Sequence, residues 1–473
     1  MIRISKTKFI GLSVLFLQFI ICSIIQLFGI QLSYERMSIL ALTQTLLDIA
    51  VLKVSGLPIV SVPNMFGVFS LLFHCGQIIK KGFNIKGTVP LPFENYAEIS
   101  TIQIAFSFYL ISQTVYYIAL LVGFHSHKES IIAAKYKNLE EDADTLVYGK
   151  VLLILGTIPR LYIDIVSLIG ARNSGYAGVY SLYIPGPIQA MAFFFDAGLI
   201  FVLFGCKKRS DVVFFAVLVY KCLMMTTGSR QDKVVFLLIW VYVFFFIINR
   251  ITFTKILVLA GACIVGFAFI SAVGAARGGD STGIRETLNV MRDGKLSNML
   301  GGSLGEFGAS FVTLEVAIRY TPSQMAYGYG RSYLAGVLSI IPLLVKQIPV
   351  LAKAGYFLSQ LPDDLTFAFG GSYLGELYYN FSWVGIVGNY VVGSTNITLH
   401  NSLMSKKNIT RKCLDAIVAT AMILFVRGYF TDMVQKLAWT YFIVYIVRLC
   451  QQRKRRKSCK EEWYNVECRY TDL

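Results

Sequence analysis

Charge is scarce in this sequence: Asp, Glu, Lys and Arg make up only 15% of the 473 residues, where a soluble domain carries roughly a quarter. That shortage excludes an ordinary soluble fold. Histidine is scarcer still, at four residues (His74, His125, His127 and His400), with no metal-ligand grouping beyond His125-Ser126-His127. No CxxC pair occurs, and none of the nine cysteines lies between residues 264 and 412, so that stretch can form no internal disulfide. No Gly-rich phosphate loop of Walker type appears. Asp142-Ala143-Asp144 has the form that holds Mg²⁺ for nucleotide-sugar transfer, yet it continues the acidic run Glu140-Glu141 and reads as solvated charge in a cytoplasmic loop. No cofactor, metal, ATP or nucleotide sugar is therefore expected.

What is abundant is apolar surface. The chain is 55% hydrophobic with a mean hydropathy of +0.61, and apolar runs of about twenty residues recur, each able to cross a hydrocarbon core of roughly 30 Å. Only helices satisfy every backbone group inside such runs. The expected fold is therefore all-α, a polytopic membrane helix bundle of about 12 spans forming one integral membrane domain over residues 1–473. Spans are expected near 9–30, 57–79, 101–123, 147–169, 187–205, 212–228, 233–249, 255–273, 375–400, 413–431 and 433–450. Residues 37–54 supply the twelfth despite Gln44 and Asp48, because two basic termini on one side demand an even number.

The formal charge of +17 would suggest nucleic acid in a soluble protein. Here the basic residues gather in short loops and at both ends, the positive-inside pattern, so both termini are expected in the cytoplasm and no nucleic-acid partner is expected. The N-terminal apolar run is too long for a signal-peptide core and reads as an uncleaved first span. The tail 451–473, with Arg453 to Lys457, reads as a cytoplasmic anchor. Loops at Lys207–Arg209, Asn249–Lys255 and Lys406–Lys412 agree with this threading. The loop 80–100 does not, because it would face outward while carrying Lys80, Lys81 and Lys86. Residues 274–371 form the largest non-spanning stretch, expected on the outer, periplasmic side. Its apolar pieces 300–318 and 333–351, the second interrupted by Pro342 and Pro349, suit interfacial or re-entrant helices.

Arginine in or beside apolar spans costs about 2.5–3.5 kcal/mol at a helix centre, so each one asks for a reason. Arg160, Arg172, Arg230, Arg277 and Arg427 all fall at or near the outer face on this threading. A guanidinium fork suits phosphate oxygens. The alternative is pairing with carboxylates such as Asp164 or Asp232, or snorkelling to the headgroups. A second signal is the run from Phe369 to Gly385, where Glu376 and Asn380 share one helix face and Tyr379 offers an aromatic ring. A carboxylate there could accept the proton of an attacking sugar hydroxyl, while aromatics stack on sugar rings. Equally, Glu376 could serve as a buried partner for an arginine.

The order of Thr227-Gly228-Ser229-Arg230, the segment Gly305 to Ser310 with Glu306, Tyr329-Gly330-Arg331-Ser332-Tyr333 and the GGSYLGELYYNFSWVG run beginning at Gly370 resembles the Wzy-type O-antigen polysaccharide polymerases. The likeness covers roughly residues 140–430. It implies polymerisation of undecaprenyl-diphosphate-linked oligosaccharide repeat units, by transfer of the growing chain, at the periplasmic face of a bacterial inner membrane. It further implies the lipid bilayer as surroundings and a chain-length regulator protein as partner. The site expected from the residues and the resemblance together is Glu376 as base, Arg230, Arg277 and Arg427 on the diphosphate, and Arg160, Arg172, Arg331, Glu306, Tyr379 and Asn380 contacting substrate. A polysaccharide flippase and an O-antigen ligase remain alternatives of similar architecture.

Overall fold

The computed structural model describes residues 6–87, 89, 92–125, 143–181, 184–206, 209–227, 231–248, 296–341, 344–361, 370–405 and 408–471, with the isolated positions 269, 272 and 292. Every regular element among them is helical. The chain is an all-α membrane protein. Eight helices are long and apolar enough to cross a bilayer: α1 (Lys6–Leu27), α2 (Tyr34–Val54), α3 (Val62–Gly82), α4 (Ile99–Gly123), the Asp144–Asn173 part of α5 (Ala143–Ser181), α6 (Gly186–Gly205), α8 (Gln231–Tyr242 with its π-helical extension Val243–Ile248) and the first part of α15 (Phe430–Thr471). The expected span 212–228 is α7 (Ser210–Met225) and 413–431 is α14 (Ile409–Phe425), each a little shorter than the other spans. The expected span 255–273 lies outside the described residues.

Large apolar side chains cover the outside, among them Phe9 (63% exposed), Leu27 (81%) and Ile158 (77%), an arrangement suited to lipid. Polar residues in the middle of α2 face inward instead. Asp48 and Gln44 are buried, and Gln44 Nε2 donates to Leu110 O at 2.8 Å and Thr114 Oγ1 at 3.1 Å, which lets an otherwise doubtful segment stand as a helix.

Two hydrophobic cores organise the bundle. One is built from α1–α4, α10 (Ala309–Tyr320), α12 (Tyr373–Phe381) and α13 (Ile386–Met404); the other from α5–α8 and α15. Helix α14 belongs to both, giving Met422 and Phe425 to the first and Cys413, Ile417 and Ile423 to the second. Late helices thus return to the N-terminal core, so the cores are not two consecutive halves of the chain.

The expected apolar piece 300–318 is two helices, α9 (Leu296–Phe307) and α10, broken at Gly308, and 333–351 opens with α11 (Arg331–Leu338) before breaking into turns. The loop 80–100 packs on this late segment: Gln77 Nε2 donates to Gly305 O at 2.8 Å, Phe93 N donates to Gln77 Oε1 at 3.0 Å, and the Arg319 guanidinium bonds Tyr96 O. The two therefore share one side of the molecule, as the parity of the spans requires. One of its lysines is accommodated locally, since Lys81 pairs with Glu94 and lies 4.3 Å over the Tyr34 ring.

Residues 375–400, expected as one span, are two helices. Tyr373, at the start of α12, meets Ser70 and Gln113 midway along α3 and α4. Tyr378 then meets Phe108, nearer the start of α4. Trp383 touches Phe108 again, Asn389 Nδ2 donates to Ser112 O at 2.7 Å, and Asn401 Nδ2 reaches Gly123 O at 3.0 Å. The chain therefore runs one way along α4 through α12, reverses at Ser382 (φ +52°), and runs back through α13. Hydropathy does not register such a reversal, because both limbs are apolar. Non-helical backbone at this depth is tolerated only where protein surrounds it, and residues 370–372 meet that condition.

Candidate active site

Three assemblies gather the polar residues, two where α12, α14 and α15 meet and one among α5, α6 and α7. The first surrounds the entry to α12. Gly370 O accepts from Thr313 Oγ1 at 2.5 Å, and Ser372 caps α12 by accepting from Gly375 N at 3.1 Å. A Cβ on Gly371 would lie 2.6 Å from the Gly428 carbonyl carbon, so two glycines let the α12 and α14 ends touch. His74 Nδ1 is 3.0 Å from Ser70 O, which can only accept, so Nδ1 carries the proton and Nε2 accepts from Ser372 Oγ at 2.9 Å. Arg427 sits in the turn after α14, its guanidinium 5.7 Å from the Phe73 centroid and beside Gly370.

The second assembly holds Glu376, which is fully enclosed. Its Oε1 accepts from Ser332 Oγ at 2.6 Å and its Oε2 from Phe430 N at 2.9 Å. Phe430 opens α15, so the carboxylate also complements a helix N-terminus. Asn380 Nδ2 donates to Ser332 Oγ and to Glu376 O, both at 2.8 Å, while its Oδ1 accepts from Gly330 N at 3.0 Å. Gly330 has φ +83°, a conformation that glycine adopts without strain. Glu376 and Asn380 together button α11 and α15 onto α12. The Tyr333 oxygen is enclosed nearby, and burial first, the Glu376 charge second, holds its phenol well above the ordinary range.

The third assembly is an ion cluster inside the second core. Arg160 Nη2 pairs with Asp164 Oδ1 at 3.1 Å, and Arg160 Nε donates to Asp164 Oδ2 and Tyr220 OH, both at 3.2 Å. Lys221, only 1% exposed, pairs with Asp196 and lies 4.5 Å over the Phe236 ring. A cavity of about 330 Å³ opens beside them, lined by Arg160, Gln189, Asp196, Asp232, Lys436 and apolar residues of α6, α8 and α14.

Of the residues singled out in the sequence, Glu376 and Asn380 share one face and one hydrogen-bond network. Glu376 has hydrogen-bonded partners other than the arginines considered for it. Tyr379 is buried, stacked 4.9 Å from Phe357 with its OH accepting from Gln360 Nε2 at 2.7 Å. Arg331 donates to the carbonyls of Gly328 (3.1 Å) and Tyr327 (2.8 Å). Glu306 is half-buried on α9, and Arg172 is exposed on α5. Arg160 has the carboxylate partner that the alternative reading foresaw. Arg230 and Arg277 lie outside the described residues. His74, Asp196, Tyr220, Lys221 and Lys436 were not foreseen; the signal for Asp196 and Lys221 was a lone charge inside each of two apolar runs.

No curated protein and no solved structure matches this chain. The family model for the O-antigen polysaccharide polymerase Wzy matches residues 7–457, nearly the whole chain, on a bundle that carries this concentration of buried polar groups. The chain belongs to the Wzy family of O-antigen polysaccharide polymerases.

Proposed function

We propose that the protein extends O-antigen by moving the growing chain from undecaprenyl diphosphate to a hydroxyl of the next lipid-linked repeat unit, at the periplasmic face of the inner membrane with both termini in the cytoplasm. In that step the bond from the anomeric carbon to the diphosphate breaks and a glycosidic bond forms. The acceptor's proton passes to a base and negative charge collects on the leaving diphosphate. A fixed cation at that oxygen stabilises the transition state.

Arg427 carries this reading. It is a permanently charged group held in a turn between two helices, with Gly370 beside it, where a Cβ would lie 3.0 Å from its Nε. Arg230 and Arg277 are its proposed companions on the diphosphate, with Arg172 at the rim. Glu376 is the proposed base. Ser332 donates to Oε1 at 2.6 Å, and an acceptor sugar hydroxyl that displaced it would meet the same lone pair in the same geometry. A chain-length regulator completes the proposed system.

Purified protein in nanodiscs, supplied with lipid-linked repeat units, tests the assignment. Arg427→Ala should abolish extension, and Arg427→Lys should still cost about tenfold or more, because a point charge cannot reproduce the bidentate fork. Normal polymer length and rate from Arg427→Ala would remove the guanidinium from the chemistry.

A further inference from the structure

The cavity beside the ion cluster is distinct from the Glu376 and Arg427 assemblies. Its long axis follows α6 from Gln189, which is exposed, to Ile200, which is buried, a depth of about 16 Å at 1.5 Å per residue. Asp232 at the start of α8 is also exposed, so the mouth lies at the ends of α6 and α8 that begin on the Arg427 side of the bundle. Phe193 and Phe236 provide apolar wall, and Thr420 a hydroxyl.

The charge of this lining decides what suits it. Two cations, Arg160 and Lys436, face two carboxylates, Asp196 and Asp232, and the first of each kind is already engaged, Arg160 with Asp164 and Asp196 with Lys221. A diphosphate only accepts hydrogen bonds and carries excess negative charge, so it would press its oxygens against Asp196 and Asp232 in a lining that offers as many carboxylates as cations. A pyranose is neutral. Each of its hydroxyls both donates and accepts, and a wall of carboxylate, amide, hydroxyl and ammonium answers that pattern, while its C–H face suits a phenyl ring. The volume falls at the lower end of the range of about 300–1,000 Å³ for small-molecule sites.

We infer that this cavity is a sugar subsite, taking an uncharged hexose of the lipid-linked repeat unit and discriminating among repeat units through Gln189, Asp232 and Lys436. This rests on the polymerase reading. It separates recognition into two places, with sugar identity read in the α5, α6, α8, α14 and α15 cavity and the diphosphate held at Arg427.

Native mass spectrometry of the full-length protein in nanodiscs, with three probes, tests this. The probes are the intact lipid-linked repeat unit, the free repeat-unit oligosaccharide, and undecaprenyl diphosphate without sugar. Gln189→Leu and Asp232→Asn should each weaken the free oligosaccharide about threefold to tenfold, as loss of one hydrogen bond to the ligand does, and leave undecaprenyl diphosphate and the unfolding temperature unchanged. Three results would overturn the subsite: oligosaccharide binding unchanged in both variants, undecaprenyl diphosphate weakened in their place at unchanged unfolding temperature, or wild-type protein binding undecaprenyl diphosphate and no oligosaccharide. Wild-type protein that bound no lipid-linked unit would instead sink the polymerase reading itself.

Discussion

Replacing Glu376 or its partner Ser332 separates a catalytic carboxylate from a structural one. Glu376 accepts two hydrogen bonds, from Ser332 Oγ and Phe430 N, and bonds to a charged acceptor contribute about 1.5–3 kcal/mol each against about 0.5–1.5 for neutral ones. Glu376→Gln keeps the shape and loses the charge, so the clamp should weaken by about 2–3 kcal/mol and the unfolding temperature should fall. As a base, Glu376 contributes about a hundredfold to ten-thousandfold to the rate, or roughly 2.7–5.4 kcal/mol of barrier. Ser332→Ala removes one of the two donors and spares the carboxylate, freeing Oε1 for an acceptor hydroxyl. Rates of single-turnover extension, measured on protein matched for folded fraction, should therefore fall at least a hundredfold in Glu376→Gln and less than tenfold in Ser332→Ala. A pure clamp gives a different outcome, with both variants less stable yet extending at near wild-type rates once folded fraction is matched. Near wild-type extension by Glu376→Gln would refute the base, leaving Glu306 and Glu315 as the next carboxylates to examine.

Cysteines placed at Lys86 and Ser323, in a background cleared of native cysteines, should react with an impermeant maleimide from the periplasm, whereas one at Gln452 should react only after the inner membrane is permeabilised; the reverse pattern inverts the threading. Gly371→Ala drives a Cβ to 2.6 Å from the Gly428 carbonyl carbon, so it should cost about 1–3 kcal/mol as overpacking does, seen as a lower unfolding temperature; unchanged stability would mean that the α12 and α14 ends part easily. Lys221→Met alone strands the Asp196 carboxylate and should destabilise the protein by about 3–5 kcal/mol, while Lys221→Met with Asp196→Leu should recover most of it; a double variant no more stable than the single one would assign the pair a role beyond mutual neutralisation.

Hydropathy located the membrane helices because a bilayer demands about twenty apolar residues whatever the neighbours are. Where it misread the chain, the missing information was directional. Residues 375–400 read as one apolar run, yet the chain reverses within them at Ser382, and only contacts with Phe108, Ser112 and Gly123 reveal it. The loop 80–100 looked misplaced from its lysines alone, since Glu94 and Tyr34, which take up Lys81, act through proximity. Of the site, Glu376 and Asn380 were legible as one helix face four residues apart. The partners of Glu376 were not, for Ser332 and Phe430 come from α11 and α15.

The sequence by itself determined that this protein is an all-α membrane bundle, because its apolar runs have the length of about twenty residues that a spanning helix needs, twice that of a barrel strand. Its motif order, from Thr227 to Gly385, also determined the family. Only the tertiary structure decided which polar groups meet. His74 reaches Ser372, Lys221 reaches Asp196, and Arg160 reaches both Asp164, one turn along its own helix, and Tyr220, two helices away. Hydropathy is a property of each segment and can be summed along the chain. A hydrogen bond or ion pair between helices depends on how each is rotated about its axis, and that rotation is set by the packing of all the others.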